Sequence, residues 1–158
     1  MRRVLVALVL CAALLPGAAR AAGDSAPIVI DGVVKHALHL TAKDLRAMPP
    51  VKRTVTFQTD KGPSTATYVG VALWRLIARA QVNDGAKWGE LRHVLAVTGS
   101  DGYVVMISLG EIDPNFGNAP MMIAYERDGK PLDALRLVAP GDKHGARDVR
   151  DLVRLEVR

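Results

Sequence analysis

The feature that most constrains the fold is a succession of short apolar or alternating segments, each closed by turn-forming residues. Val51–Thr59 alternates in polarity, as a strand with one buried face does. Gly99–Gly102 and Arg127–Lys130 carry the residues that tight turns favour. Only Gly70–Ala80 repeats apolar residues at a clear helical spacing. Many short strands with two or three short helices predict an α+β domain that is mainly β.

Two local signals near the start of the domain make specific predictions. Ile28–Ile30 is followed by Asp31-Gly32, a dipeptide typical of hairpin turns, which predicts a second strand from Val33 onward. Thr41 followed by Asp44 has the spacing of a capping box and predicts the start of a short helix.

The first 21 residues have the pattern of a secretory signal peptide. Arg2-Arg3 gives a positive start, Val4–Leu15 is apolar throughout, and Ala19–Ala21 has small residues where a signal peptidase reads them. Such an apolar run spans only about 18 Å as a helix, against ~30 Å for the hydrocarbon core, so a cleaved signal is favoured over an anchor. We predict a periplasmic or secreted protein with a tether over residues 22–27 and one domain over residues 28–158.

The basic composition does not by itself indicate nucleic-acid binding. The chain has 21 Lys and Arg against 16 Asp and Glu, a formal charge of +5 and a pI near 9.7. Signal cleavage would remove three arginines and no acid, which leaves a charge of +2. Nucleic-acid binders need clustered basic residues that neutralise several phosphates. We therefore expect no nucleic-acid partner, and no membrane contact after cleavage.

The only cysteine, Cys11, lies inside the predicted signal. The expected mature segment then contains no thiol, which excludes a disulfide, a cysteine nucleophile and an iron–sulfur cluster within it. A chain of this length buries roughly two thirds of its unfolded surface, so the core alone can stabilise the domain.

The histidines and the nearby acids are weak candidates for chemistry. His36 and His39 fall on opposite faces of a predicted strand, so we expect no shared metal site. His93 opens a strand and is interpreted as structural. Glu111 and Asp113 could form a carboxylate pair, although capping of a short helix explains both.

The segment Pro140–Arg150 is the strongest candidate for a ligand site. It brings two glycines and four potential cations into one turn. Glycine lets backbone N–H groups approach an anion, and the guanidinium groups of Arg147 and Arg150 can donate paired hydrogen bonds. The alternative is a loop whose arginines pair with the neighbouring aspartates, because the acids nearly balance the bases.

Several short motifs occur in an order that resembles a known family. They are Thr41–Pro49, Val55–Phe57, Tyr68–Trp74, Ser100–Tyr103, Ala124-Tyr125, Asp128–Leu132 and Arg136–Gly141. The set runs from about Leu40 to Val157 and resembles the oxidoreductase molybdopterin-binding domain of the sulfite-oxidase type. Each motif alone is weak, whereas the ordered set is specific.

The resemblance implies a sulfite-oxidase-type molybdopterin-binding fold, α+β and mainly β, with mixed sheets and a few short helices. In that family, basic residues after the Pro-Gly loop contact the pterin phosphate. The resemblance therefore assigns Lys143, Arg147 and Arg150, together with Tyr103, as cofactor-binding candidates.

This chain differs from the family pattern at the metal-ligating residue. The resemblance places a molybdenum-ligating cysteine just after the strand that corresponds to Val55–Thr59, and Thr59 or its neighbour stands there instead. A hydroxyl is a poor substitute for a soft thiolate ligand. We therefore expect no catalytic residue, no metal and no bound cofactor, with molybdopterin implied by the resemblance alone.

The leading functional prediction is an exported, non-catalytic or accessory module that binds a small anion or a periplasmic redox protein. Arg2-Arg3 lacks the rest of a twin-arginine signal, and an unfolded chain cannot carry a cofactor through the general secretory route. The alternative is a molybdopterin-dependent oxidoreductase in which Thr59, Asp60 or solvent completes the metal site. A third alternative is a partner-binding domain whose cleft is filled by side chains.

Overall fold

The computed structural model describes residues 26–158, so the predicted signal peptide (1–21) and most of the tether (22–27) lie outside the described residues. The strands are β1 (Ile28–Gly32), β2 (Leu38–Leu40), β3 (Val51–Thr59), β4 (Gly62–Ala72), β5 (Val94–Gly99), β6 (Val104–Ser108), β7 (Met122–Arg127), β8 (Lys130–Val138) and β9 (Leu152–Val157). The α-helices are α1 (Ala42–Arg46), α2 (Leu73–Ala80) and α3 (Leu109–Ile112), and short 3₁₀ turns cover Gly89–Arg92 and Gly145–Arg147. None of the helices in residues 26–158 is long and apolar enough to cross a membrane. The content is α+β and mainly β, as predicted.

The strands form two sheets. The first has the order β2-β1-β9-β5-β6, in which β1 and β9 are parallel and the other neighbours are antiparallel. The second is antiparallel throughout, in the order β3-β4-β7-β8. The first sheet confirms the mixed pairing that was expected.

Two apolar clusters stabilise this arrangement. The larger joins both sheets to α1 and α2 through fully buried side chains such as Leu45, Ile77, Leu95 and Ile123. The smaller lies on the opposite face of the second sheet and includes Met122, because successive residues of β7 point to opposite faces. The second sheet therefore has an apolar face on each side.

The structure confirms the predicted capping box and two of the predicted turns, all of which depend on residues close together in the sequence. The capping box is present: the Asp44 N–H donates to Thr41 Oγ1 at 3.2 Å, and the Thr41 N–H donates to Asp44 Oδ2 at 2.8 Å. Asp128 and Gly129 form the turn between β7 and β8, and both have positive φ. The segment between β5 and β6 is a turn that includes Gly102 at φ +83°.

The predicted turn at Asp31-Gly32 is wrong. Both residues belong to β1, where they pair with Glu156 and Val157 of β9. Gly32 has φ +88°, and a Cβ atom there would lie 2.1 Å from the carbonyl oxygen of Val157. Glycine is needed for the close approach of two strands from distant parts of the chain, which a local pattern does not reveal.

Helix α2 begins at Leu73, later than the Gly70 predicted from periodicity. Gly70–Ala72 continue β4, and a Cβ at Gly70 would lie 2.1 Å from the carbonyl oxygen of Ile123. The Leu73 N–H donates to the carbonyl of Met121 at 2.9 Å. This bond ties the start of α2 to the segment that enters β7.

Candidate anion-binding cleft

The loop between β8 and β9 packs against the end of β3. The Gln58 N–H donates to the carbonyl of Lys143 at 2.9 Å, and Gly145 faces the ring of Phe57. Further along, the Leu137 N–H donates to the carbonyl of Val149 at 2.9 Å. These contacts bring the glycine-containing loop close to Thr59, the residue at the predicted metal position.

Arg147 is held by two carboxylates. Its Nε and Nη2 atoms donate to the two oxygens of Asp142 at 2.7 Å each, and its Nη1 atom donates to Glu111 at 2.8 Å. These bonds raise the pKa of Arg147 and hold the pKa of Asp142 below its usual range. Glu111, interpreted above as a helix-capping residue, is an ion-pair partner. The positive charge of Arg147 is therefore compensated within the protein.

Tyr103 and Lys143 lie on the exposed side of the same loop. The Tyr103 hydroxyl donates to the carbonyl of Ala146 at 2.8 Å, while the residue stays 49% exposed. Lys143 is exposed, and its backbone carbonyl rather than its ammonium group makes the contact with β3 described above. Neither residue lines the cleft that contains Thr59.

Arg150 faces a different neighbourhood from Arg147. It lines a cleft of about 150 Å³ together with Thr59, Arg127 and Arg136. The remaining lining residues are polar or aromatic: Phe57, Gln58, Ser64, Tyr68 and Gly145. We call this the arginine cleft. An adjoining depression of about 250 Å³ shares the same three arginines.

The strands of the second sheet bring these arginines together. Arg127 ends β7 opposite Tyr68 of β4, and Arg136 lies on β8 opposite Ala124. The guanidinium carbons of Arg127 and Arg136 lie 5.8 and 5.7 Å from the centre of the Tyr68 ring. Cation–π attraction to this buried ring helps to hold two like charges side by side.

One of the three arginines, Arg136, forms an ion pair with the buried Asp148. Arg136 Nη2 lies 3.4 Å from Asp148 Oδ2, and the Asp148 side chain is 0% exposed. Asp148 Oδ1 accepts the Ala139 N–H at 2.9 Å, and burial raises the pKa of Asp148. Within residues 26–158, the buried Arg136 Nε has no hydrogen-bond acceptor. Arg136 is therefore only partly satisfied by the protein.

The residues that line the arginine cleft include three cations and no acid. Arg127 Nε lies 3.3 Å from Asp128, an exposed pair that solvent weakens. Arg150 forms no ion pair with any described residue. No carboxylate is among the residues that line the cleft. The lining of the cleft itself is therefore positive, while Asp133 and Asp151 line the adjoining depression together with the same three arginines.

The residues at the predicted metal position do not fit a thiolate-ligated molybdenum ion. The Thr59 hydroxyl donates to the carbonyl of Gly62 at 2.7 Å and accepts the Lys61 N–H at 3.2 Å, so it is used within its own turn. The part of the chain that the structure describes contains no cysteine and no group of three His, Cys, Asp or Glu side chains suited to a metal. Soft thiolate donors, which such an ion requires, are absent from this set.

The size of the cleft also favours a small ligand. Sites for drug-sized molecules and cofactors usually occupy about 300–1,000 Å³. The arginine cleft and the adjoining depression have volumes of about 150 and 250 Å³. An inorganic or small organic anion fits within either volume.

None of His36, His39 and His93 lines the arginine cleft, and His36 lies in a loop and not on the predicted strand. His93 Nε2 lies 3.0 Å from Asp84 Oδ2, and His93 Nδ1 lies 3.0 Å from the carbonyl oxygen of Arg158, so the ring links loop to strand. His93 and the Ala86 N–H hold the pKa of Asp84 low. His39 is exposed on β2, and His36 is exposed in the preceding loop.

Sequence reasoning missed Arg127 and Arg136 as site residues. Arg127 was read only as part of a turn, and Arg136 only as part of a family motif. The available signal was the strand register: a hairpin closed at Asp128-Gly129 places β7 and β8 side by side and brings their arginines to one end of the sheet. That these meet Arg150 depends on the loop after β8, which local patterns do not determine.

The structure is a mainly β domain with a cleft lined by three arginines beside its second sheet. Residues 19–158 match the model of the family described as the oxidoreductase molybdopterin binding domain, and the chain belongs to that family. No curated protein matches the sequence.

Among solved structures, the chain is similar to the sulfane dehydrogenase SoxCD from Paracoccus pantotrophus. The TM-score is 0.70 at 22% sequence identity, over 89% of this chain and 40% of that chain. The sulfite-oxidase-type molybdopterin-binding fold predicted above is thereby confirmed. Because this chain spans less than half of that chain and shares so little identity with it, the likeness shows the fold alone.

Proposed function

We propose that this protein is an exported, non-catalytic or accessory member of the molybdopterin-binding domain family that binds a small anion in its arginine cleft. One observation carries the proposal: Arg127, Arg136 and Arg150 line one small cleft that no carboxylate lines. An oxyanion there would accept charge-assisted hydrogen bonds from guanidinium groups that the protein leaves incompletely paired.

The polar lining of the cleft supports an oxyanion over an apolar ligand. Gln58, Thr59 and Ser64 add hydrogen-bonding side chains to the lining beside the arginines. Tyr68 supports two of the guanidinium groups from within the sheet. Tetrahedral or planar oxyanions such as sulfate, sulfite and phosphate have the size and hydrogen-bond acceptors that this lining requires.

Two further observations support a role without molybdenum chemistry. Thr59, at the position where the family carries its thiolate ligand, uses its hydroxyl within the turn to Gly62. Arg147, expected to hold the cofactor phosphate, is already neutralised by Asp142 and Glu111. Export through the general secretory route, which the first 21 residues predict, accords with a protein that leaves the cytoplasm without a cofactor.

Calorimetric titration with sulfate, sulfite and phosphate at low ionic strength tests the anion site. We expect saturable binding of at least one oxyanion, weakened about ten-fold by Arg150→Gln, since a hydrogen bond from a charged donor is lost. Arg79→Gln is the matched control, because Arg79 is an exposed arginine on α2 that does not line the cleft. Absence of binding, or equal affinity in the two variants, would contradict the proposal.

The competing candidate is a molybdopterin-dependent oxidoreductase with non-cysteine ligation, which family membership supports. It predicts that the purified protein contains molybdenum and reduces a sulfoxide or an oxyanion with a reduced dye. The accessory proposal predicts neither.

A further inference from the structure

A second cavity lies away from the arginine cleft. Its volume is about 410 Å³, and it opens between the start of β3, the first turn of α2 and the segment 113–121. This volume falls within the usual range of about 300–1,000 Å³ for small-molecule sites. The cavity shares no lining residue with the arginine cleft. We call it the Trp74 cavity after the aromatic side chain in its wall.

The outer wall of the Trp74 cavity is held in place by backbone hydrogen bonds. The Gly117 N–H donates to the carbonyl of Gly110 at 2.9 Å, and the Ala119 N–H donates to that of Glu111 at 2.8 Å. Pro114 and Pro120 lie in the same wall and restrict the backbone on either side of these bonds. The cavity is therefore formed by an ordered segment and does not require ligand binding to shape it.

Most of the cavity lining is apolar. Trp74 contributes an aromatic side chain, while Val51, Ile112 and Met121 contribute aliphatic groups and a thioether. Ala72 and Ala119 have small side chains, which leave the space open. A ligand with a hydrophobic ring or a short branched chain would bury its apolar surface here.

Two cations give the cavity a polar side. Arg53 and Arg75 line it, and both are exposed. Within residues 26–158 neither forms an ion pair, and Arg53 donates only to the neighbouring carbonyl of Lys52 at 3.0 Å. Asp113, between the lining residues Ile112 and Pro114, is buried; its Oδ1 accepts hydrogen bonds from Asn115, and its Oδ2 has no hydrogen-bond partner within residues 26–158. No carboxylate belongs to the lining.

We propose that the Trp74 cavity is a second ligand site, which binds an amphipathic carboxylate: a hydrophobic ring or chain against Trp74 and Met121, with its carboxylate between Arg53 and Arg75. The combination of apolar walls and two unpaired guanidinium groups selects this class over an inorganic anion, which gains nothing from the walls, and over a neutral apolar molecule, which gains nothing from the arginines. This proposal goes beyond the oxyanion site and does not depend on it.

The chain offers a direct reporter for this site. It has two tryptophans, Trp74 in the cavity and Trp88, which is 48% exposed. In the Trp88→Phe protein, emission therefore reports on Trp74 alone. Cyclohexanecarboxylate, which does not absorb at the excitation wavelength, is the probe, and cyclohexanecarboxamide is its neutral counterpart of the same shape.

We expect a saturable change in Trp74 emission with the acid. Binding of the amide, and binding of the acid to the Arg53→Gln/Arg75→Gln double variant, should each be weaker by about ten-fold or more, because the charge-assisted contacts are lost. Ala119→Leu should fill the cavity and abolish the response while circular dichroism stays unchanged. Arg150→Gln should leave the response unaltered.

Two results would overturn the proposal. One is equal affinity for acid and amide, or for the double variant and its parent. The other is absence of a saturable response to the acid up to about 10 mM. A dissociation constant of that size corresponds to a binding free energy of about −3 kcal/mol. The double variant changes only exposed side chains, so its folding can be verified by an unchanged melting temperature.

Discussion

The guanidinium of Arg147 lies against the carboxylate of Asp142 with two hydrogen bonds of 2.7 Å, the geometry of a paired fork. The residue that the family pattern assigns to a ligand anion thus already binds an anion of its own loop. Arg150, three residues further on, forms no ion pair in the described chain and faces the arginine cleft. The two arginines therefore have different roles, one within the loop and one at the site.

Substitution of Arg147 should affect stability and leave anion binding intact. Arg147→Gln removes the ion pairs to Asp142 and Glu111. All three side chains are partly exposed, so the free energy of unfolding should fall by only about 1 kcal/mol. Urea denaturation measures this loss, and calorimetry should show unchanged oxyanion affinity. A loss of affinity as large as that of Arg150→Gln would assign both arginines to the site.

Acid should weaken the loop through Asp142. The pKa of Asp142 is lowered by Arg147, so its contribution to stability is complete above the unfolded pKa of 3.8 and is lost as the pH falls through that value toward the folded pKa. The unfolding free energies of wild type and Asp142→Asn should therefore converge between about pH 5 and pH 3. Asp60→Asn, at an exposed position without an ion pair in the described chain, is the control and should change the unfolding free energy at pH 7 by less than about 0.5 kcal/mol. A constant gap between wild type and Asp142→Asn would contradict the assignment.

Asp148 should have the opposite pH dependence and a larger effect. Asp148→Asn leaves the part-buried Arg136 without its partner, which should cost about 3 kcal/mol of unfolding free energy near pH 7. Burial raises the pKa of Asp148, so the folded protein takes up a proton more readily than the unfolded chain. Wild type therefore gains stability as the pH falls through that raised pKa, and its advantage over Asp148→Asn should widen. Asp133→Asn, at an exposed position, should change stability by less than about 0.5 kcal/mol. Equal effects of the two substitutions in urea denaturation would argue against an Asp148–Arg136 pair.

The approach of β1 to β9 should depend on Gly32. Gly32→Ala places a methyl group 2.1 Å from the Val157 carbonyl oxygen at a positive φ, so we expect a loss of at least about 2 kcal/mol in thermal or urea unfolding. Gly85→Ala is the control, because a Cβ there meets no atom within 4 Å. If both variants unfold alike, the parallel β1–β9 pairing is not as close as described.

The sequence predicted those parts of the fold that depend on neighbours in the chain. The capping box at Thr41 and Asp44 and the turn at Asp128-Gly129 are short-range contacts, and both are present. Asp31-Gly32 has equally good turn residues but lies within a strand, because β9 pairs with it from the far end of the domain. At Asp31-Gly32 the pairing with a distant strand therefore determines the structure, and the local preference for a turn does not.

The candidate site was predicted in outline and not in detail. Pro140–Arg150 contributes Gly145 and Arg150 to the arginine cleft, but the other two arginines come from β7 and β8. The sequence also left open whether the arginines of this loop pair with its aspartates. In the structure one arginine pairs and the other does not: Arg147 pairs with Asp142, whereas Arg150 forms no ion pair in the described chain. Which arginine forms the ion pair depends on the direction of each side chain, and residue type alone does not specify that direction.

The molybdenum and pterin content of the protein, purified from the cells that produce it, is the most direct test of the central claim. The Thr59 hydroxyl at the predicted metal position is hydrogen-bonded to Gly62, and residues 26–158 contain no thiolate. The protein should therefore contain far less than one molybdenum atom per chain and no extractable pterin. One molybdenum atom and one pterin per folded chain would contradict the account and establish the oxidoreductase alternative.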